Sequence, residues 1–357
     1  MIFNRRIVRF SRNPAAVFFY IGLFCVAACF ITLDVAYADD SASSFLEFDD
    51  TPLKQDIILP SWFKLSFLEL KEDLKDVNKK QKRGLILYFG QRDCAYCKEH
   101  LEKNWGDRGI VAYTRKYFDV VAIDVRGDRP VADFNGKVYN TEKSFAAAKK
   151  TNFTPSLLFY DLKGKEVFRL SGYHPPYQFR AALEYVVDEY YKKENFRTFL
   201  ALGERPSGYD ESDLIDETFF SRPPYALDRS RFPGATPLAV FFEEPTCYAC
   251  NVLHNGPLKG PKIKRQLQSL ESVQLDITAN TPVLTPSGEH TTAKQWAKKL
   301  GIYYAPTIVF FDTSGKEILR IDSVVRFYRL TTVLNYIITG GYKEIPNFQH
   351  WRMQKKR

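Results

Sequence analysis

Four cysteines dominate the chemistry open to this chain. They form two Cys-x-x-Cys pairs, Cys94-Ala-Tyr-Cys97 and Cys247-Tyr-Ala-Cys250; the other two of the six, Cys25 and Cys29, lie near the N-terminus. A structural disulfide framework scatters its cysteines so as to close long loops. A bridge across two intervening residues closes almost no loop and contributes little stability. Pairs at this spacing suit reversible exchange: a thiolate attacks a disulfide, forms a mixed disulfide and is displaced by its neighbour. The electrons reside in the paired thiols, so no dissociable cofactor is expected.

Aligning the two pairs exposes an internal duplication. Cys94 to Pro155 spans 61 positions and Cys247 to Pro306 spans 59. Beyond each proline the chain reads Pro155-Ser-Leu-Leu-Phe-Tyr-Asp-Leu-Lys-Gly-Lys-Glu-Val-Phe-Arg169 in one copy. In the other it reads Pro306-Thr-Ile-Val-Phe-Phe-Asp-Thr-Ser-Gly-Lys-Glu-Ile-Leu-Arg320. Upstream, residues 85–89 match 238–242, and 121–124 match 273–276.

The elements that must position the cysteines read alike in both copies. Residues 85–89 and 238–242 are short apolar runs, hence buried strands. Each leads into a cysteine loop from which a helix should start at the first Cys. That helix continues through Lys103 in the first copy, whereas Gly256-Pro257 ends it early in the second. Second strands fall at 120–124 and 273–276, and helices at 144–150 and 293–300. Hairpins turn at 162–165 and 313–316. Helices at 178–193 and 330–338 close the copies. The result is an α/β layer plan.

Domain limits follow: a targeting segment at 1–38, a polar lead-in at 39–60, one domain at 61–202, a linker at 203–234, a second domain at 235–345 and a basic tail at 346–357. The first 38 residues combine Arg5, Arg6, Arg9 and Arg12, a charge-free stretch at 13–33, and Ala36-Tyr37-Ala38 before Asp39. That is the order of a signal peptide, with cleavage expected after Ala38. The stretch is also long enough for an N-terminal membrane anchor, and Val26-Ala27-Ala28-Cys29 resembles a lipoprotein signal. The formal charge of +9 is modest for 357 residues. It suits acidic partners or an anionic membrane surface, and no motif points to nucleic acid.

Strand, Cys-x-x-Cys at a helix start, and a proline about 60 residues on that opens a hairpin: this resembles the thioredoxin superfamily. The first copy, with Cys94-Ala-Tyr-Cys-Lys98, Thr154-Pro155, Gly172-Tyr173-His-Pro-Pro176 and Tyr190-Tyr191, looks like periplasmic thioredoxins of the sulfur-oxidation (Sox) type. The resemblance implies two tandem thioredoxin-like domains, each a central mixed sheet flanked by helices. It makes Cys94 and Cys247 the exposed nucleophiles, and Cys97 and Cys250 the resolving thiols. Thr154-Pro155 and Ala305-Pro306 become cis-proline pairs that dock the substrate backbone. It also implies disulfide-containing client proteins in the periplasm and a membrane thiol-electron donor. A small residue beside Tyr between the cysteines, with Thr before the proline, looks more like reductases and isomerases than strong oxidases.

The sequence departs from that family at the place of thioredoxin's buried acid, here Tyr88 or Phe241; Asp93 and Glu244 are the substitutes within reach. A zinc site is the bland competitor for four cysteines. The pairs lie 153 positions apart in separate repeats, and adding His100 or His254 gives three ligands at best, so no metal is expected. Haem attachment needs His after the second Cys, where Lys98 and Asn251 stand. His174, His290 and His350 read as ordinary loop residues. Tyr96 and Tyr248 either contact substrate or cover the disulfide. The non-enzymatic alternative is a client-binding redox chaperone or assembly scaffold in which only the first Cys-x-x-Cys is active.

Overall fold

Alternation along the central strands decides the architecture. In β1 (Gly84–Gly90) Leu85, Leu87 and Phe89 enter one hydrophobic cluster, while Ile86 and Tyr88 enter another on the opposite face. In β8 (Leu238–Glu243) Leu238, Val240 and Phe242 part from Ala239 and Phe241 in the same way. Successive side chains point to opposite faces, so a run apolar at every position needs cover on both sides. The computed structural model describes residues 46–203 and 214–355. The expectations for Cys25, Cys29 and Ala38, and for the end of the basic tail, lie outside the described residues.

Each repeat contains a four-stranded mixed sheet. In the first, α1 (Leu70–Lys79) precedes β1, and the cysteine helix α2 (Ala95–Glu99) runs on as a wider turn over His100–Asn104. Next come α3 (Arg108–Tyr117), β2 (Phe118–Asp124), the small pair β3 (Val131–Ala132) and β4 (Val138–Tyr139), and α4 (Glu142–Ala148). The hairpin β5 (Ser156–Tyr160) and β6 (Glu166–Ser171) leads to α5 (Pro176–Val187) and α6 (Phe196–Gly203). Strand order is β2-β1-β5-β6, with β1 parallel to β2 and the other two pairings antiparallel.

The second repeat begins with β7 (Tyr225–Ala226) and β8. After them come α7 (Tyr248–Asn255), α8 (Pro261–Leu267), β9 (Glu271–Asp276), β10 (Pro282–Leu284), β11 (His290–Thr292) and α9 (Ala293–Lys299). It ends with β12 (Thr307–Phe311), β13 (Glu317–Ile321), α10 (Phe327–Ile338), α11 (Gly341–Glu344) and α12 (Phe348–Lys355). Its sheet order, β13-β12-β8-β9, has the same pattern of directions.

The residues shared by the two hairpins have structural work. Asp161 Oδ1 accepts from the Lys163 and Lys165 N–H groups, and Asp312 Oδ1 accepts from Ser314 and Lys316. Gly164 and Gly315 supply the positive φ that these turns need (+76° and +82°). Arg169 pairs with Glu166 and donates to Lys149 O at the end of α4. Arg320 pairs with Glu317 and donates to Leu300 O at the end of α9. Even the register shift recurs, at Phe159/Tyr160 and Phe310/Phe311.

Three parts differ from the sequence reading. The helix expected at 178–193 stops at Val187, with Glu189 left-handed (φ +56°). The chain must reverse there so that Phe196 packs on Tyr185, 5.2 Å between ring centres. The joint is structured from residue 214 onward: Phe220 and Leu227 are buried in the second repeat, and Arg229 holds Glu271 Oε2 at 2.6 Å. Isolated apolar residues gave no period by which to see this. The tail is a helix, α12, which buries Phe348 and Trp351 against Tyr336.

Asp322, just after β13, carries a pH-dependent load. Its Oδ1 is shut off from solvent without a hydrogen-bond partner, and Oδ2 faces Tyr303 Oη at 3.5 Å. Burial pushes the carboxyl up to about 6, Arg320 drawing it down and Glu317 adding to the rise. A carboxyl raised above its unfolded range favours folding as pH falls through about 6 towards 4, and opposes it above. Asp322→Asn should therefore melt higher than the wild type at pH 7.5 and lose that advantage by about pH 4.5. Other titrating groups cancel in the comparison. An equal difference at both pH values would refute the assignment.

Candidate functional site

Both cysteine loops adopt one geometry. Cys94 is the N-cap of α2 and Cys247 the N-cap of α7. Each sulfur accepts the backbone N–H of its partner cysteine, Cys97 or Cys250, at 3.0 Å. Disulfides join Cys94 to Cys97 and Cys247 to Cys250, with Cα atoms 5.2 Å apart in both. A helix N-terminus favours negative charge and so favours a thiolate at the first cysteine of each pair.

The proline segments meet the sulfurs as the resemblance implied. Thr154-Pro155 and Ala305-Pro306 are cis. Cys94 Sγ lies 3.3 Å from Thr154 Oγ1 and 3.5 Å from Thr154 O; Cys247 Sγ lies 3.3 Å from Ala305 O. All eight residues singled out in the sequence thus gather into two clusters of four.

The two clusters differ in exposure. Cys247 and Ala305 are partly exposed, and the Tyr248 side chain is 45% exposed. In the first cluster Cys94 is 4% exposed, Cys97 and Thr154 are fully buried, and Tyr96 is 3% exposed. The second repeat and the lead-in supply the cover. Tyr96 Oη donates to Asp50 Oδ2 and accepts from the Arg326 N–H, both at 2.8 Å. The Arg329 guanidinium lies over the Tyr96 ring, 3.3 Å from its centre, and Nη2 donates to Thr154 O at 2.7 Å. Asp50 also accepts the backbone N–H groups of Tyr328 and Arg329, both at 2.8 Å. It thereby caps α10, whose own N-cap residue, Arg326, offers no side-chain acceptor.

Around this plug the repeats exchange equivalent residues. Phe153, before the first proline pair, packs in the core of the second repeat; Tyr304, before the second pair, packs in the core of the first. The Val324 N–H donates to Tyr173 O at 3.1 Å. Gly172 (φ +100°) lies so close to Ser323 that a Cβ there would collide with Ser323 Oγ. In the aligned sequences Gly172 and Ser323 correspond, as do Tyr173 and Val324.

The ionisable groups nearby are engaged. Asp93 pairs with Arg126 at 2.9 Å and Glu244 with Arg197 at 2.8 Å. Burial pulls His100 down to about 3 and His174 to about 4, so both stay neutral at physiological pH. His100 contacts Asn104 Nδ2, and His254 sits between Glu243 and Glu217. Among the described residues no three His, Cys, Asp or Glu side chains gather as a metal site would require. Burial draws the Arg329 guanidinium down to about 10, which leaves it protonated.

Sequence reasoning missed Asp50 and Arg329. Asp50 lay in a segment read as a polar lead-in, and its partners are 278 and 279 positions away. Arg329 stands where the first copy has Gln178, a difference that carries no motif.

Comparison with known proteins bears on these features together. A family model described as a thioredoxin-like domain matches residues 70–187 and 226–338. Over 72 residues the chain is 36% identical to the thiol:disulfide interchange protein DsbD of Yersinia pestis, a match covering 20% of this chain and 11% of that protein. The chain thus spans about a tenth of the length of the curated relatives it matches. Among solved structures, a thioredoxin-fold protein of Helicobacter pylori is 24% identical, with a TM-score of 0.29, covering 36% of this chain and 92% of that one. The oxidised C-terminal domain of Neisseria meningitidis DsbD is 18% identical, with a TM-score of 0.24, covering 29% and 80%. With the family model matched across more than half of its length, the chain belongs to the thioredoxin-like domain family, and carries that domain twice.

Proposed function

We propose that the protein is an exported thiol–disulfide oxidoreductase that reduces or isomerises disulfides of periplasmic client proteins. The observation that carries this reading is the partly exposed Cys247 sulfur at a helix N-terminus, beside the cis Ala305-Pro306 pair. In the reduced protein the Cys247 thiolate attacks one sulfur of a client disulfide, and the client's other sulfur leaves as a thiolate and takes a proton. Cys250 then loses its proton and attacks Cys247, restoring the intramolecular disulfide and releasing the client's second thiol. Two electrons pass to the client, and a dithiol donor, read here as a membrane protein, returns them. Ala305 and Pro306 form the docking edge, on which a client backbone pairs as a short strand. At the first site Cys94, Cys97, Thr154 and Pro155 have the same roles once the cover is lifted.

The name and partial identity of the DsbD relatives support thiol exchange as the chemistry. The likeness of the first copy to Sox-type thioredoxins rests on its sequence motifs. No helix among the described residues is long and apolar enough to cross a membrane. The alternative, a client-binding scaffold active only at its first site, has burial against it, because the first site is the closed one.

Cys250→Ser should accumulate mixed disulfides with client proteins on non-reducing gels, because Cys247 has lost the thiol that releases it. Cys247→Ser should abolish them. Trapping by Cys247→Ser instead would reverse the two roles, and trapping by neither variant would remove the redox reading.

A further inference from the structure

We propose that Arg329, carried by the second repeat, is the counter-charge of the Cys94 thiolate in the first, so that one domain sets the redox balance of the other. This rests on the reading of Cys94 as a redox nucleophile. Thr154 O links the two groups: it accepts from Arg329 Nη2 at 2.7 Å and lies 3.5 Å from Cys94 Sγ. Nitrogen and sulfur are therefore no farther apart than these two distances together. The guanidinium also covers Tyr96, which is part of the Cys-x-x-Cys motif itself.

In the disulfide state this cation has no ion pair, and Asp50 is the carboxylate that faces it. Arg329 is 5% exposed, its Nη1 has no hydrogen-bond partner, and among the described residues no carboxylate lies within ion-pair distance of it. The groups facing it are the Tyr96 and Phe153 rings, Asp50 and Arg352. Asp50 is already held by Tyr96 and two backbone N–H groups, and Arg352 has the same sign as Arg329. Beside the sulfur, Asp93 is held by Arg126. A buried cation with no ion pair is costly, and reduction brings a further negative charge to its side. A dithiol donor gives two electrons and becomes a disulfide. The Cys94–Cys97 bond breaks, Cys97 takes one of the donor's two protons, the other goes to solvent, and Cys94 remains a thiolate. That thiolate also has the Cys97 N–H and the Thr154 hydroxyl as donors.

Among the described residues the second site has no counterpart. The residue of the first repeat aligned with Arg329 is Gln178, which is neutral and donates to Tyr177 Oη. The assistance runs one way, from the second repeat to the first.

The test uses the full chain carrying Cys247→Ser and Cys250→Ser, so that only the first pair reports. The parent, Arg329→Gln and Arg329→Lys are equilibrated with dithiothreitol at neutral pH, and the Cys94 thiolate is titrated by its ultraviolet absorbance. Equilibrium is reached however slowly the site opens. Arg329→Gln should make the Cys94–Cys97 disulfide about tenfold harder to reduce and raise the Cys94 midpoint by about one pH unit. Arg329→Lys should stay within about threefold of the parent, because the charge survives although the planar contacts do not. Equal shifts in Gln and Lys would make Arg329 a structural pin and overturn the proposal, as would no shift in Gln. A parent whose Cys94 titrates at or above the ordinary thiol range, about 8.5, overturns it with no variant needed. A first pair that no dithiol reduces sinks the redox reading of Cys94 and this role together. A pair that cycles but ignores Arg329 sinks only this role.

Discussion

In the reduced, folded protein, iodoacetamide should modify Cys247 about a hundredfold faster than Cys94. Both sulfurs cap a helix and accept the same N–H at the same distance, and the Arg329 charge near Cys94 favours its thiolate, so local chemistry does not slow Cys94. Access is not, because Cys94 is buried under the second repeat and Cys247 is partly exposed. Alkylation of Cys94 must wait for the plug of Asp50, Arg326 and Arg329 to lift. A sub-global opening of about 3 kcal/mol lowers the reactive population about a hundredfold. Peptide mass spectrometry of timed samples gives both rates, and guanidinium should bring them together. Gly172→Val, which forces a side chain against Ser323, should raise the Cys94 rate towards that of Cys247. Native rates already equal would mean that the cover does not exist in solution.

The second large effect is expected at Phe153. Its side chain is 1% exposed and belongs to the hydrophobic core of the second repeat, although the residue precedes the first proline pair. Phe153→Ala should cost about 3–5 kcal/mol in urea unfolding, from lost transfer free energy and the cavity left behind. The more telling readout is where protection is lost. Hydrogen exchange should rise in α10 and α12, which pack on Phe153 through Arg329 and Phe348. A cost below about 1 kcal/mol, or faster exchange confined to the first repeat, would mean that Phe153 does not bind the repeats together.

How much of this was legible in the sequence depends on the range of each interaction. The strands were visible because apolar runs such as Leu85 to Phe89 are local, and the turns because Asp161, Gly164 and Lys165 act within four residues of one another. That the cysteine and proline segments gather into two clusters was legible from the family resemblance, which the duplication displays twice. Tyr185 and Phe196 hid the reversal after Val187, since nothing in a helical period says which aromatic residue will fold back on another. The cover over the first site was beyond reach for a stronger reason. It joins Asp50, Tyr96 and Arg329 across hundreds of positions, and Asp50 and Arg329 read alone as ordinary polar residues. The alternative in which only the first Cys-x-x-Cys is active took no account of exposure. Burial by the partner repeat, which no local pattern records, sets the first site apart instead.

The contact between Tyr96 and Arg326 spans 230 positions of chain, and on the ribosome that separation becomes an interval. At roughly 5–20 residues per second, the segment that closes the first site follows Tyr96 by about ten to fifty seconds. Once Pro155 has followed, 59 positions after Tyr96, the first domain has strand, helix and proline in place without the residues that cover Cys94. A redox partner present during synthesis would therefore meet the first pair before its cover exists. The redox state left by that encounter is sealed when the last tenth of the protein arrives.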